Sequence, residues 1–202
     1  MTLPEHAICS VMIAQVACRQ RFGWKAVPVV AVAGIAPDVD AVTKLISDPL
    51  YWEMHHALGH SLISITVLSA IIAGVSAPLL KLPFRPMFGW CWLASLVHDL
   101  TDVPYWWAVR FLWPFSDRGL MLQALEYLDL LVLGMWLTAA VCLYKRPARG
   151  RRIAAVSLSL YTGYVVLRWL LPKPTGIWHQ ITGGWMYLAP GDTPVLDWWQ
   201  HQ

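Results

Sequence analysis

His55-His56-Ala57-Leu58-Gly59-His60-Ser61 runs directly into an apolar stretch that begins Leu62-Ile63-Ser64-Ile65 and continues to Leu80, and this junction decides how the chain is read. An uncharged run of that length suits a helix crossing hydrocarbon, which needs about 20 residues, and it stops at Lys81 and Arg85. Histidines so dense at its mouth suggest metal chemistry. If residues 55–60 are helical, His56 and His60 stand at i and i+4 on one face, where both rings can reach one ion. His55 joins them only if the first turn is irregular. The plain alternative is a group of interfacial polar residues with no ligand.

The whole chain agrees with a membrane setting. Of 202 residues, 57% are hydrophobic and only 13% charged, which suits one domain but not a soluble one. The net charge of +3 comes from basic residues gathered at a few turns, so it reads as a topology signal and no nucleic acid is expected as a partner. Cys9, Cys18, Cys91 and Cys142 lie within apolar segments and imply no disulfide framework. Met1 to His6 lack the basic start of a signal peptide, and Val16-Ala17-Cys18 makes a poor lipoprotein site, so the first segment is expected to be retained.

The expected fold is an all-α polytopic bundle of about four full spans preceded by a short N-terminal helical hairpin. The hairpin comprises residues 7–18 and 26–36, each too short to cross alone. Pro37 ends the second run, and residues 41–54 are mixed. The spans are 62–80, about 87–101, 120–144 and 153–171, with an interfacial segment at 103–119. Residues 1–171 form the membrane-embedded domain, and 172–202 a Trp/Gly/Pro-rich surface tail. The turns 19–25, 81–85 and 145–152 hold ten of the fifteen Lys and Arg residues, while the acidic residues fall toward the other side. Under the positive-inside rule the basic turns are cytoplasmic, which puts the histidines on the extracytoplasmic face of the membrane. Two N-terminal segments that dip without crossing would keep the same sidedness.

Folding back in this way brings His6, Asp38, Asp40, His55, His56, His60, His98, Asp99 and Asp102 to one level. His98 and Asp102 are at i and i+4 on one helical face, a spacing that suits one ion or two adjacent ones. Singly, these motifs read as helix-end pairs or capping turns. Together they are costly at membrane helix ends unless paired, hydrated or bound to cations. Imidazole with carboxylate suits zinc, manganese or iron better than calcium or magnesium. More candidate ligands than one tetrahedral ion can use favour two or more divalent ions, which would activate water against a phosphoester. Asp99 and His56 are then the groups to orient ligands or to supply a general acid.

The ordered set His6, Pro37-Asp38-Val39-Asp40, His55-x4-His60-Ser61, His98-x3-Asp102 and Trp113-Pro114-Phe115-Ser116 resembles the YdjM/YbcI family of bacterial inner-membrane proteins over roughly residues 5–120. Its members are described as metal-dependent hydrolases, some as LexA-binding. The same ligand order is more distantly similar to zinc-dependent phospholipase C and P1-type nucleases, an analogy of motif order that supplies the substrate class only weakly. The resemblance implies metal-binding roles for His6, Asp38, Asp40, His55, His60, His98 and Asp102, with Ser61 and Ser116 lining the site. This chain departs from the pattern at His56, where an arginine is common, and at Gly59, where a threonine is. Losing that arginine removes an anion clamp from the position.

The expectation is therefore a metal-dependent hydrolase of a phosphoester in a lipid or envelope metabolite, with membrane lipids and a small-molecule or lipid substrate as partners. Its rivals are a non-catalytic protein with a closed structural metal site and an ion or metal transporter, which would want ionisable groups near mid-membrane. A partner-binding role would have to use the short cytoplasmic turns. Glu126 and Asp129 read as hydrated helix-end charges or acids supporting the cluster. Trp52, Trp106, Trp107, Trp113, Trp169, Trp178, Trp185, Trp198 and Trp199 read as an aromatic belt. His179 and His201 read as surface residues.

Overall fold

The computed structural model describes residues 1–105, 107–125 and 128–171. The expectations for Trp106, Glu126 and the tail with its histidines and tryptophans lie outside these residues. Among the described residues there are eight α-helices and no strand, only an isolated bridge between Val109 and Leu120. Two helices are long and apolar enough to cross a membrane, Leu62–Leu80 and Pro147–Leu170. A third candidate is the pair Ala26–Ala33 and Ala36–Leu45, bent by 48° at the break between them.

Helix α1 (Leu3–Ile13) does not stop where the apolar run weakens. It continues through a π-helical stretch, Ala14–Cys18, into α2 (Arg19–Phe22), and the junction residues keep right-handed helical angles. The first segment is therefore longer than its apolar core, because Gln15 and Gln20 satisfy one another and Arg19 locally instead of breaking the helix. Its two faces serve two cores. One gathers Met12, Trp136 and Tyr161 with helices α7 (Leu130–Lys145) and α8 (Gly150–Leu170). The other gathers Ala14 and Cys18 with α3 (Ala26–Ala33), α5 (Leu62–Leu80) and α6 (Phe84–Asp102).

The α5–α6 hairpin packs closely because the inner face of α5 is mostly small: Ile65, Ser69, Ala73 and Ala77 recur every fourth residue and are buried. Small residues at that spacing let membrane helices approach. Ser61 caps α5 by accepting from Ser64 N–H at 3.2 Å, and Lys81 ends it in the left-handed conformation. The basic turns meet at the far end of the bundle: Lys25 Nζ donates to Leu80 O at 2.6 Å, and Arg19 Nη1 to Pro147 O at 2.8 Å.

The segment expected as a span from Leu120 becomes helical only at Leu130. Residues 120–125 instead pair back onto the chain after α6, with Leu122 N–H donating to Val103 O at 2.7 Å and Ala124 N–H to Pro104 O at 2.7 Å. Asp129 then starts α7 by accepting from Leu131 and Val132 N–H, and its other oxygen accepts from Tyr164 O–H at 2.8 Å. Those bonds make Asp129 a helix cap, and none of them reaches the histidines. The excursion 103–125 also reaches over them: Arg110 N–H donates to His56 O at 2.9 Å, and Leu62 N–H to Phe111 O at 2.9 Å.

Candidate metal centre

Four short pieces of chain bring the polar residues together at one end of the bundle: α1, the 3₁₀ segment Ala36–Leu45, the turn 55–61 after α4 (Asp48–Met54), and the end of α6. The turn is not helical. His56 adopts a positive φ of 63° and the turn wraps around Asp40, whose Oδ2 accepts from His56 N–H at 3.2 Å and Gly59 N–H at 3.4 Å. His56 and His60 still become neighbours, with ring centroids 4.7 Å apart, by this route and not along a helix face.

Two imidazoles have their tautomers set by what holds them. His98 Nδ1 lies 2.7 Å from the carbonyl of Gly34, which can only accept, so Nδ1 carries a proton and Nε2 is directed into the cluster. His60 Nδ1 lies 2.9 Å from Asp40 Oδ2, which likewise leaves its Nε2 facing inward. The two Nε2 atoms stand 3.2 Å apart. Acceptors facing one another at that distance need a proton or a metal ion between them.

Carboxylates flank this pair on two sides. Asp102 Oδ2 lies 3.4 Å from His98 Nε2, 3.6 Å from His60 Nε2 and 3.9 Å from His56 Nε2. Asp38 Oδ1 lies 3.6 Å from His98 Nε2 and 3.8 Å from His60 Nε2. Asp102 Oδ1 meets His6 Nε2 at 3.1 Å and also the amine of Met1. His6 stacks on His98 with centroids 3.6 Å apart. Among the described residues three overlapping donor sets result, His6/His98/Asp102, Asp38/His60/His98 and His56/His60/Asp102, each with its ligand atoms within 4.8 Å of one another. For comparison, tetrahedral ligands about 2.1 Å from zinc lie about 3.4 Å apart. No set holds both Asp38 and Asp102.

Asp40 and His55 lie one step outside these sets. Asp40 Oδ1 is taken by His55 Nδ1 at 2.8 Å and Oδ2 by His60 and the turn, so Asp40 orients an imidazole where the family resemblance implies direct ligation. His55 stacks on Tyr51 and meets the edge of Trp107, which also touches His56, so Trp107 covers the histidines. His56, expected to orient ligands or donate a proton, stands in a donor set. Asp99 is buried with both oxygens lacking a hydrogen-bond donor among the described residues, and belongs to none of the three sets. Ser61 caps α5, and Ser116 Oγ accepts from Arg118 N–H within its own turn.

Electrostatics favour positive charge at the centre. Burial strips charge from His56, holding its imidazole well below the usual value. Burial also opposes charge on His60, but the carboxylates of Asp102 and Asp40 outweigh it and push that imidazole up to about 10. The donor types, this field and Asp102 Oδ2, which has no hydrogen-bond partner among the described residues, all fit a divalent cation.

Glu5 and Gly34 also sit at the cluster, although their residue types did not announce it. Glu5 is buried beside His6, with Oε2 accepting from Thr2 N–H at 2.8 Å and Oε1 lacking a partner among the described residues. Its signal was an acid beside His6, just ahead of the apolar run 7–18. Gly34 supplies a carbonyl, and a Cβ there would fall 1.7 Å from Ser10 Oγ, so only glycine lets α1 and α3 close up beneath His98.

A family profile described as YdjM inner membrane protein matches residues 1–173. Among curated proteins, the chain is similar to the uncharacterized protein YfhP of Bacillus subtilis strain 168, at 25% identity over 148 residues. The match covers 72% of this chain but 45% of that protein, so the chain spans under half the length of that relative. No solved structure matches it.

Proposed function

Since the chain belongs to the YdjM inner membrane protein family, we propose that its histidine and aspartate cluster is the metal centre of a membrane-bound hydrolase acting on a phosphoester of a lipid or envelope metabolite. The observation that carries this reading is the overlap of three donor sets on His60, His98 and Asp102. Four imidazoles and two carboxylates exceed the four ligands of one tetrahedral zinc, which favours two ions, zinc before manganese or iron. Such ions would acidify water and neutralise charge on a phosphoester. The protein's own part is to fix the donors: Gly34 and Asp40 hold the two facing imidazoles, and Trp107 with the 103–125 excursion keeps bulk water off them. Asp38, with 19% of its side chain exposed against 0–1% for His60, His98 and Asp102, marks the open side for a substrate. Asp99 is the buried carboxyl free to hold or pass a proton.

In this reading α5 to α8 are four spans, and α1 with α3 forms the hairpin that delivers His6 and Asp38. The basic turns face the cytoplasm and the metal centre the other side. A reporter fused at residue 148 is expected to read cytoplasmic; an external signal inverts the assignment. A second reading, a closed structural metal site, draws support from the near-complete burial of the donors. Elemental analysis of the detergent-purified chain, with a parallel phosphatase and phosphodiesterase screen, separates the two. Hydrolysis is expected to require the metal and to be lost on chelation. Tightly held metal with no activity, and an unfolding temperature that drops on chelation, would leave only the structural reading.

A further inference from the structure

Away from the metal centre, helices α7 and α8 leave between them an open groove of ≈ 750 Å³ whose walls include Gly134, Cys142, Val156 and Leu160. Between its ends the groove is lined mainly by apolar side chains, with the free thiol of Cys142 among them. Its hydroxyls donate along their own helices, Thr138 Oγ1 to Gly134 O at 2.7 Å and Ser157 Oγ to Ile153 O at 2.9 Å. From Leu130 to Cys142 it runs about 18 Å at helical rise, the scale of a long acyl chain. At one end stand Arg146, Arg149 and Arg152. Residues 130–170 contain no Asp or Glu, and no ion pair among the described residues involves these arginines.

We infer that this groove binds one anionic phospholipid, with an acyl chain along α7 and α8 and the phosphate against the three arginines. The pairing of a mainly apolar channel with a basic mouth is what such a lipid needs at its two ends. A second copy of the chain fits less well. Copies inserted with the same orientation would bring the three arginines of each to the same level, and like charge would oppose the contact. Gly134 keeps the channel open: a Cβ there would meet nothing within 4 Å, so a larger side chain enters the groove without displacing protein atoms. This site is independent of whether the metal centre hydrolyses anything.

The test uses the full chain, delipidated in detergent and titrated with dioleoylphosphatidylglycerol or dioleoylphosphatidylcholine, with bound lipid counted by native mass spectrometry. One phosphatidylglycerol per chain is expected, retained in preference to phosphatidylcholine. Arg146→Gln/Arg149→Gln/Arg152→Gln is expected to weaken that retention roughly 100-fold, about fivefold per cation, with Lys145 and Arg151 left to hold the sidedness of the turn. Gly134→Phe, with the arginines intact, is expected to abolish it, and Val156→Trp repeats the block from α8 should the first variant fold poorly. Equal retention of the two lipids overturns the proposal, as does full retention in both groove-filled variants. Particles of two chains that Gly134→Phe splits into single chains would assign the groove to a second copy instead. Glycerol phosphate competing as well as the whole lipid would reduce the site to a surface anion contact and overturn it too.

Discussion

Replacing His98 with alanine is expected to strip divalent metal from the purified chain while leaving it inserted and helical. His98 belongs to two of the three donor sets, so its loss leaves only His56, His60 and Asp102 together. The same change removes the donor that Gly34 O accepts and the ring on which His6 stacks, which together disorganise His6 as well. Leaving a buried carbonyl without its donor costs about 1–3 kcal/mol, too little to unfold a helical bundle but enough to lower its unfolding temperature. Asp40→Asn provides the graded comparison. Asp40 supports the centre through the ring of His60 and the backbone N–H of His56 and Gly59, and loss of such a support typically weakens metal affinity about 10–100-fold. Metal content by elemental analysis at fixed free zinc should therefore fall in the order wild type, Asp40→Asn, His98→Ala. Full stoichiometry in His98→Ala would remove the centre from these residues, and equal loss in the two variants would make Asp40 a ligand in its own right.

That ordering rests on a distinction the sequence could not draw. The convergence of distant positions was legible, because the apolar run from Leu62 to Leu80 and the return through Phe84–Asp102 are fixed by local composition and by basic turns at one end. A chain folded that way has little freedom over which end receives His6, His60 and His98. The role of each carboxylate was not legible. Asp38 and Asp40 are two residues apart on a 3₁₀ turn, and the difference between them arises from the backbone of a turn fifteen or more residues later, which saturates Asp40 and leaves Asp38 facing two imidazoles. Helical periodicity paired His56 with His60 for the wrong geometric reason: the turn is irregular, and its shape is imposed by Asp40 and not by local propensity. The late start of α7 has the same origin, since residues 120–125 are apolar enough to be helical but pair across the chain with 103–105. Apolar periodicity reports which residues avoid water, and it is silent on backbone partners that arrive from elsewhere.

Gly59→Ala is expected to be the most damaging methyl that can be added at any of the described glycines. An alanine Cβ at this position would sit 1.8 Å from the carbonyl oxygen of Pro37 and 2.8 Å from its carbon, and these are backbone atoms that cannot rotate away. Relief requires the turn 55–61 and the segment beginning at Ala36 to separate. Asp40 then loses Gly59 N–H and strains its bonds to His56 and His60, while Asp38, one residue from Pro37, moves off His60 and His98. Overpacking of this kind typically costs about 1–3 kcal/mol, and here it falls on the two pieces of chain that build the centre. Metal content should drop with stability, read as elemental stoichiometry beside the unfolding temperature in detergent. Gly74→Ala on α5 supplies the control: its Cβ meets nothing within 4 Å, and alanine favours a helix by up to about 1 kcal/mol, so neither quantity should fall. The pattern this chain resembles commonly has threonine before the second histidine, a side chain for which the contact with Pro37 leaves no room here. Gly59→Thr therefore asks whether this chain can reach that arrangement. Wild-type metal content and stability in Gly59→Ala would mean that the Pro37 contact does not hold the centre closed.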